Sequence, residues 1–600
     1  MDVYLMQDAV ARRREQFDGL NYLSDWQVHS AHITAGAISS LANGSEEGPL
    51  YVPMPTGSGK TTGAIWGIHD FVLRHPNKRL CFMTPYQASV EEVYSKLVNL
   101  LPPETVGRYH ADIFGSKEDE LAKQVVVLTH KFIEYNHGRL DDRDLFVIDE
   151  AIYATGEATL KFEHFAQARS WATRNGVYAG EFEQLLSLAS DLNEQLKSTN
   201  KKYIAAPHIE NLDWARVIVS ELSLKDHSQK LDNPELMVST QRFCEALLEG
   251  LVFLTRGNLD GQRYDPIYSA AVLGIPRIDK TVILSATGGM VYDIAGPFNQ
   301  DEGSKNSWTA PTYENLTLTH LTRPEISGQY KTWSSQEKKR MVVEYVDWVL
   351  ERVAEDSIYL TLPKQVLESC LRDYFDQPKT GILTYPIKAE KHGKKLFVSH
   401  HALSVGTNQF KDCKAVVYLW ENHLPQAVSV QRFHTLANET ITQKSLDEAN
   451  SGQLVGDYQR IRNAQYIDNM MQQIGRGAVR VIDQDAKAGK MSAYVHCNSS
   501  RFERLACQYF NCSTTEMDYG IESATKPVGR IEQILSYLRT RKGHDDVSIK
   551  DVEAALGFEL RRYGVQLDKN WDLNMIGYEF VAGRRGRGNT SHFKYIGDKK

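Results

Sequence analysis

Cysteine is scarce, with seven in 600 residues and no CxxC pair. That does not make the disulfide framework of a small secreted domain. It points instead to a reduced, cytoplasmic setting. Cys497, Cys507 and Cys512, near His496, read as free thiols rather than as metal ligands. No uninterrupted apolar run reaches the roughly 18 residues of a membrane span. The opening stretch MDVYLMQDAVARRREQ lacks the apolar segment of a signal peptide. An excess of positive charge is missing too: 69 Lys and Arg stand against 76 Asp and Glu, for a net charge of -7. This excludes a uniformly basic coat for nucleic acid. It does not exclude a motor that needs only a local basic groove. No short-period repeat is present. What remains is a globular composition, 42% hydrophobic and 24% charged, long enough for about four domains.

The chain falls into units by rhythm. LYVPM (50–54), RLCFMTP (79–85), QVVVLTH (124–130) and LFVIDEA (145–151) alternate with helical patterns such as TTGAIWGIHDFVLR. Continuous apolar strands separated by helices predict an α/β unit with a parallel sheet buried on both faces. Residues 156–278 lose that rhythm. EFEQLLSLASDLNEQLKS, LDWARVIVSELSL and QRFCEALLEGLVFLTR predict an α-helical insertion. KTVILSAT (280–287) then returns as a strand, so the first unit is expected at 1–155 and 279–330. Residues 290–335 read as a linker with one extended piece, ENLTLTHL.

A second α/β unit is expected at 331–524. Its strands are SIYLTL, GILTY, KLFVS, AVVYLW and MSAYVHC. A last unit, 525–600, has three expected helices and a hairpin, the order of a winged helix. Ser548 and Asp551 predict a cap on its second helix. From Lys526 to Lys600 there are 15 Lys and Arg against 10 Asp and Glu, so this unit carries a charge of opposite sign to the body. Arg584, Arg585 and Arg587 cluster at the hairpin tip GRRGRGN, where they would clamp a phosphate backbone.

Two constellations carry chemistry. The first is PTGSGKTT between a strand and a helix. Thr56, Gly57, Ser58, Gly59, Lys60, Thr61 and Thr62 form a small, glycine-rich turn whose backbone N–H groups would cradle phosphates. Lys60 would reach the β- and γ-phosphates of ATP, and the Thr61 hydroxyl would bind Mg²⁺. Met54 stands where such loops usually have their first glycine. The second is Asp149-Glu150 at the carboxyl end of LFVI. Asp149 would hold Mg²⁺ and Glu150 would orient the attacking water.

With PTGSGKT, Asp149-Glu150-Ala151-Ile152, Ser285-Ala286-Thr287 and QQIGRGAVR in that order, the chain resembles superfamily 2 helicases of the DExD/H-box type. The likeness covers about residues 25–500, apart from the insertion. It implies two RecA-like domains with ATP between them, and a nucleic-acid-dependent ATPase. Carried over residue by residue, Gln27 resembles the glutamine that reads adenine. Thr84, Pro85 and Thr129 resemble contacts to the nucleic-acid backbone. Ser285 and Thr287 look like the coupling motif. Gly406, Thr407 and Asn408 resemble the second domain's motif, with Asn408 where the family often has Asp. Gln472, Gly475, Arg476 and Arg480 resemble the last motif, Q-x-x-G-R-x-x-R, with one extra residue before Arg480. Either arginine would serve as the finger that stabilises transition-state charge, since i+3 and i+4 share a helix face.

The insertion resembles the arch of the DinG and XPD helicases. Their iron–sulfur cysteines are missing, because only Cys81 lies between the phosphate loop and the DE pair. The expected function is ATP-driven strand separation or translocation, on DNA ahead of RNA, with no membrane partner. The helical insertion is where protein partners would dock. Two alternatives stand beside it: an origin-binding or regulatory DNA-binding protein with an ATPase switch, and an RNA helicase.

Overall fold

The computed structural model describes residues 3–17, 23–110, 116–130, 132, 137–149, 155–199, 201–207, 209–224, 234–255, 258–259, 262–263, 267–273, 278–285, 299–300, 310–322, 336–378, 380–381, 383–401, 409–421, 426–450, 454, 456–519, 530–541, 546–557, 559–563, 567, 573, 576–581 and 591–596. Helices α1 (Val3–Gln16) and α2 (Asp25–Asn43) precede strand β1 (Leu50–Val52). Then come α3 (Lys60–Arg74), β2 (Leu80–Thr84), α4 (Gln87–Val98), β3 (Val106–Tyr109), α5 (Lys117–Ala122), β4 (Val125–Thr129) and β5 (Leu145–Asp149).

The insertion begins directly as a strand. It runs β6 (Thr155–Lys161), α6 (Phe162–Asn175), α7 (Ala179–Ser198), β7 (Tyr203–Ala205), α8 (Asp213–Leu224), α9 (Pro234–Leu248), β8 (Val252–Thr255), β9 (Asn258–Leu259), β10 (Gln262–Arg263) and β11 (Ile267–Leu273). An all-helical insertion was the expectation, and the structure corrects it. Strands β6, β11, β8 and β7 form a four-stranded antiparallel sheet beside the helices. QRFCEALLEGLVFLTR reads as one helix by composition, but α9 stops at Leu248. Gly250 follows at φ +71°, a left-handed conformation that ends helices. The β-branched and aromatic residues after it then pair as β8.

Strands β12 (Thr281–Leu284) and β13 (Asn299–Gln300) return to the first sheet. Its order is β13-β1-β12-β5-β2-β4-β3, parallel throughout. The apolar runs are buried on both faces, as parallel strands require. One face packs on α2, α3 and α4 through Ile38, Ile65, Ile68 and Val93.

The second α/β unit has β14 (Leu316–Thr322), α10 (Gln336–Arg352), β15 (Ser357–Leu362), α11 (Lys364–Cys370), β16 (Ile387–Lys391), β17 (Lys394–His400) and β18 (Ala415–Tyr418). It continues with α12 (Gln426–Ala437), α13 (Gln443–Asn450), α14 (Asp457–Ile474), β19 (Met491–Val495), α15 (Ser499–Arg504) and β20 (Ser513–Asp518). The sheet order is β16-β17-β15-β18-β19-β14-β20. All pairings are parallel except the β16–β17 hairpin. The two parallel sheets agree with two RecA-like units.

Two expectations change here. ENLTLTHL is not linker of the first unit: β14 lies between β19 and β20, one strand in from the edge of the second sheet. GILTY makes no strand in its described residues. Pro386 has no N–H for a ladder, and pairing starts only after it, at Ile387.

The first sheet's other face is covered by the second unit's own helices. Leu436 of α12 and Ile461 and Ala464 of α14 pack with Met83, Leu128, Phe146, Ile148 and Ile283. Further along α14, Tyr466, Ile467, Met470 and Ile474 pack into the second sheet's core. The insertion is also joined to this segment. Ala427, Val430, Ile441, Leu446, Ala449 and Leu454 complete its hydrophobic core. Ile441 N donates to Gly250 O at 2.9 Å, Ala205 N donates to Gln443 Oε1 at 3.1 Å, and Lys201 pairs with Asp447 at 2.9 Å.

The C-terminal unit comprises α16 (Arg530–Thr540), β21 (Val547–Ser548), α17 (Ile549–Leu556), a 3-10 turn at Leu560–Tyr563, β22 (Tyr578–Val581) and β23 (His592–Tyr595). Its sheet order is β21-β23-β22. Ser548 caps α17 by accepting from Asp551 N at 3.1 Å. Of the third helix expected around 559–570, the described residues show the 3-10 turn at Leu560–Tyr563 and a helical Leu567. Arg584, Arg585 and Arg587 lie outside the described residues.

Candidate functional site

The loop between β1 and α3 is shaped by two glycines that no side-chain residue replaces at low cost. Gly57 and Gly59 both sit at φ +87°. Gly57 also lies against the second unit: a Cβ there would overlap the Arg480 carbonyl. Gly475, across the same interface, would bring a Cβ to 2.8 Å from Thr56 Oγ1. Glycine on both sides lets the two backbones approach. Met54, in place of a glycine, is fully buried at the loop's base with its sulfur 3.6 Å from Thr34 Oγ1.

A cleft of about 490 Å³ opens at this loop. Thr56, Gly57, Gly59, Lys60, Thr61 and Thr62 line it from the loop and the first turn of α3. Ser58 points inward and is fully buried. Lys60 Nζ donates to Met54 O at 2.7 Å and to Pro55 O at 2.9 Å, which folds the lysine over its own loop. Asp149, at the end of β5, lines the cleft and accepts from Thr61 Oγ1 at 2.9 Å. The neighbouring strands fix this meeting, because β12 separates β1 from β5 in register. A hydroxyl and a carboxylate side by side are hard oxygen donors, and they fit Mg²⁺. Among the described residues, no group of three or more His, Cys, Asp and Glu is placed to hold a metal ion.

The second unit supplies Gln472, Arg480, Val481 and Ile482 to the cleft. The two arginines of the last motif part company here. Helix α14 ends at Ile474, with Gly475 as its cap, and Arg480 sits in a separate 3-10 turn, Ala478–Arg480. The expected sharing of one helix face therefore does not apply. Arg480 lines the cleft, while Arg476 is fully buried and donates to Gln472 Oε1 at 3.3 Å.

Gln27 also lines the cleft, at the third position of α2. Its side chain closes a capping box with Ser24 and donates to Gly57 O at 2.8 Å. Thr84 and Pro85, expected along a nucleic-acid path, form part of this same cleft wall. Thr129 ends β4 beside Thr84 in register and is not part of that wall. Ser285 is buried after β12, its N–H donating to Val52 O at 3.2 Å. Glu150, Thr287, Gly406, Thr407 and Asn408 lie outside the described residues.

Sequence reasoning missed several lining residues. Ser89, Glu92, Val93 and Lys96 come from α4, where Glu92 and Lys96 pair at 2.6 Å. Their i, i+3 and i+4 spacing was the available signal. Lys411 reaches in from the second unit without any motif to announce it.

Residues 32–164 match the DEAD/DEAH box helicase family model. No curated protein matches the chain in sequence. Among solved structures, it is similar to S. cerevisiae Dbp5 bound to RNA and ADP BeF3, at 11% identity and a TM-score of 0.37, over 83% of this chain and 94% of that one. The Escherichia coli DEAH/RHA helicase HrpB overlaps at 14% identity and a TM-score of 0.33, over 85% of this chain and 46% of HrpB. The DUF1998 helicase MrfA bound to DNA overlaps at 12% identity and a TM-score of 0.32, over 95% of this chain and 57% of MrfA. The chain thus spans about half the length of HrpB and MrfA, and all three overlays are loose. Among the described residues, no helix is long and apolar enough to cross a membrane.

Proposed function

We propose that this chain, which carries a DEAD/DEAH box helicase match at residues 32–164, is a nucleic-acid-stimulated ATPase that works as a helicase or translocase. One observation carries the reading. The phosphate loop, Asp149 bonded to Thr61, and Arg480 from the second unit all face one cleft. A triphosphate held there touches both α/β units at once, so binding and hydrolysis act on the angle between them.

The roles follow from chemistry. Backbone N–H groups of Gly57–Thr61 and the N-terminus of α3 receive the phosphates. Lys60 exchanges its two loop carbonyls for phosphate oxygens. Thr61 and Asp149 would hold Mg²⁺, which when bound neutralises charge on the β- and γ-phosphates. Glu150 orients the attacking water. Arg480, rather than Arg476, is the finger that meets charge in the transition state. The basic C-terminal unit grips the backbone of the nucleic acid, as a winged helix would.

The decisive measurement is ATP hydrolysis with and without single-stranded nucleic acid. Lys60→Ala is expected to abolish the stimulated rate, and unchanged turnover in that variant would overturn the assignment. Running the same assay with DNA and with RNA identifies the track. A sequence-specific DNA-binding switch is the second reading, motivated by the winged-helix order expected for the C-terminal unit. Footprinting that shows one discrete tight site would support it over the motor.

A further inference from the structure

Four cations and two carboxylates line the cleft: Lys60, Lys96, Lys411 and Arg480 against Glu92 and Asp149. Three of the cations have a motif or a partner to explain them. Lys60 belongs to the phosphate loop, Lys96 pairs with Glu92 at 2.6 Å, and Arg480 ends the last motif. Lys411 has neither. Among the described residues, no carboxylate pairs with it: Glu92 is taken by Lys96, and Asp149 accepts from Thr61 at 2.9 Å.

Its backbone is nevertheless pinned from both sides. The Phe410 ring before it is buried and stacks on Tyr359 of β15, with centroids 4.1 Å apart and planes 9° from parallel. Tyr359 in turn donates to Gln473 Oε1 at 2.7 Å, next to Gln472 of the cleft wall. After Lys411, Cys413 N donates to Phe410 O at 2.9 Å and closes a turn. The carbonyl of the same Cys413 accepts from Ala478 N at 3.0 Å. Ala478 opens the 3-10 turn that ends in Arg480, whose carbonyl lies against Gly57 of the phosphate loop. Two interlocked turns of the second unit therefore present Lys411 and Arg480 to one cleft.

A third positive charge in a cleft that already holds Lys60 and Arg480 meets repulsion, and a bound anion relieves it. The bond between the two turns favours the nucleotide, rather than the nucleic acid, as that anion. We infer that Lys411 is a further phosphate-binding residue, given to the nucleotide by the second unit. A lysine is a compact charge on a flexible stem, so it follows the phosphates in the ground state and the transition state alike. Such uniform binding lowers KM and leaves kcat alone, whereas a finger works on kcat. This rests on the triphosphatase reading above.

Steady-state ATP hydrolysis by the full chain, with saturating single-stranded nucleic acid, tests it. Lys411→Met is expected to raise the KM for ATP about tenfold, the worth of one charge-assisted hydrogen bond, at unchanged kcat. Lys411→Arg keeps the charge and should restore the low KM. Lys411 is exposed, so both variants should melt as the native chain does. An unchanged KM in Lys411→Met overturns the inference. So does a fall in kcat at constant KM, which would make Lys411 a second finger. A shift confined to the nucleic-acid concentration for half-maximal stimulation also overturns it, and would give the lysine to the track. Failure of the native chain to hydrolyse ATP would sink the triphosphatase reading instead.

Discussion

Arg476 and Arg480 lie four positions apart and do different physical work. Arg476 is sealed in the second unit, where it bonds Gln472. Arg480 faces the cleft. Arg480→Ala is therefore expected to lower kcat by about 10³ with little change in melting temperature. Arg476→Ala removes a buried hydrogen-bonding group, so it should lower the melting temperature first. The reverse pattern would reassign the finger. His401 gives a second residue-level test. It is buried, stacked on Tyr418, and bonded to Thr361 Oγ1 and Trp420 O at 2.9 and 2.8 Å. Burial pushes its imidazole down to about 3. Between about pH 6.5 and 3 the unfolded chain binds a proton that folded His401 refuses, so stability falls as pH drops, by up to about 1.4 kcal/mol per unit. Urea midpoints at pH 7 and pH 5 should fall more steeply in the native protein than in His401→Gln. Equal slopes would show that His401 does not titrate this way.

At the scale of elements, the motifs were legible because they join local pattern to local structure. The apolar run LFVI ending in Asp149, and the glycines before Lys60, are strand-then-turn signals that need no distant partner to be read. The loop and Asp149 meet because β12 inserts between β1 and β5; the apolar run at 281–284 predicts a strand, and only the sheet gives its place. What was not legible depended on partners far along the chain. β14 looks like a stray extended piece until β19 and β20 flank it, almost 200 residues later. β7 and β8 are three and four residues long, too short to show a period, and they exist through pairing with each other and with β11. Arg480 was placed by the extra residue after Gly475, and only the end of α14 decides how that residue is absorbed. Lys411 has no local pattern at all; the cleft alone identifies it.

For the whole molecule, the main finding is that the insertion is not a separable module. Its core is completed by Ala427, Val430, Ile441, Leu446, Ala449 and Leu454 of the second unit, whose neighbouring helix α14 also packs on the first sheet. Replacing residues 155–273 with a short linker would strip cover from those side chains. The expected result is loss of soluble protein, or rapid proteolysis within 426–454. A soluble, protease-resistant deletion variant would show that the insertion is independent after all. The charge is divided on the same scale, with a basic C-terminal unit beside an acidic body.

The shared core also sets a timetable for synthesis. Ala205 waits for Gln443, 238 positions later, and Lys201 waits for Asp447, 246 positions later. At about 5–20 residues per second, Ala205 and Lys201 are made roughly 10 to 50 seconds before the partners that seal them. During that interval the insertion's apolar face has no native cover. The nascent chain is then most open to aggregation and to capture by chaperones, well before the C-terminal unit has been translated.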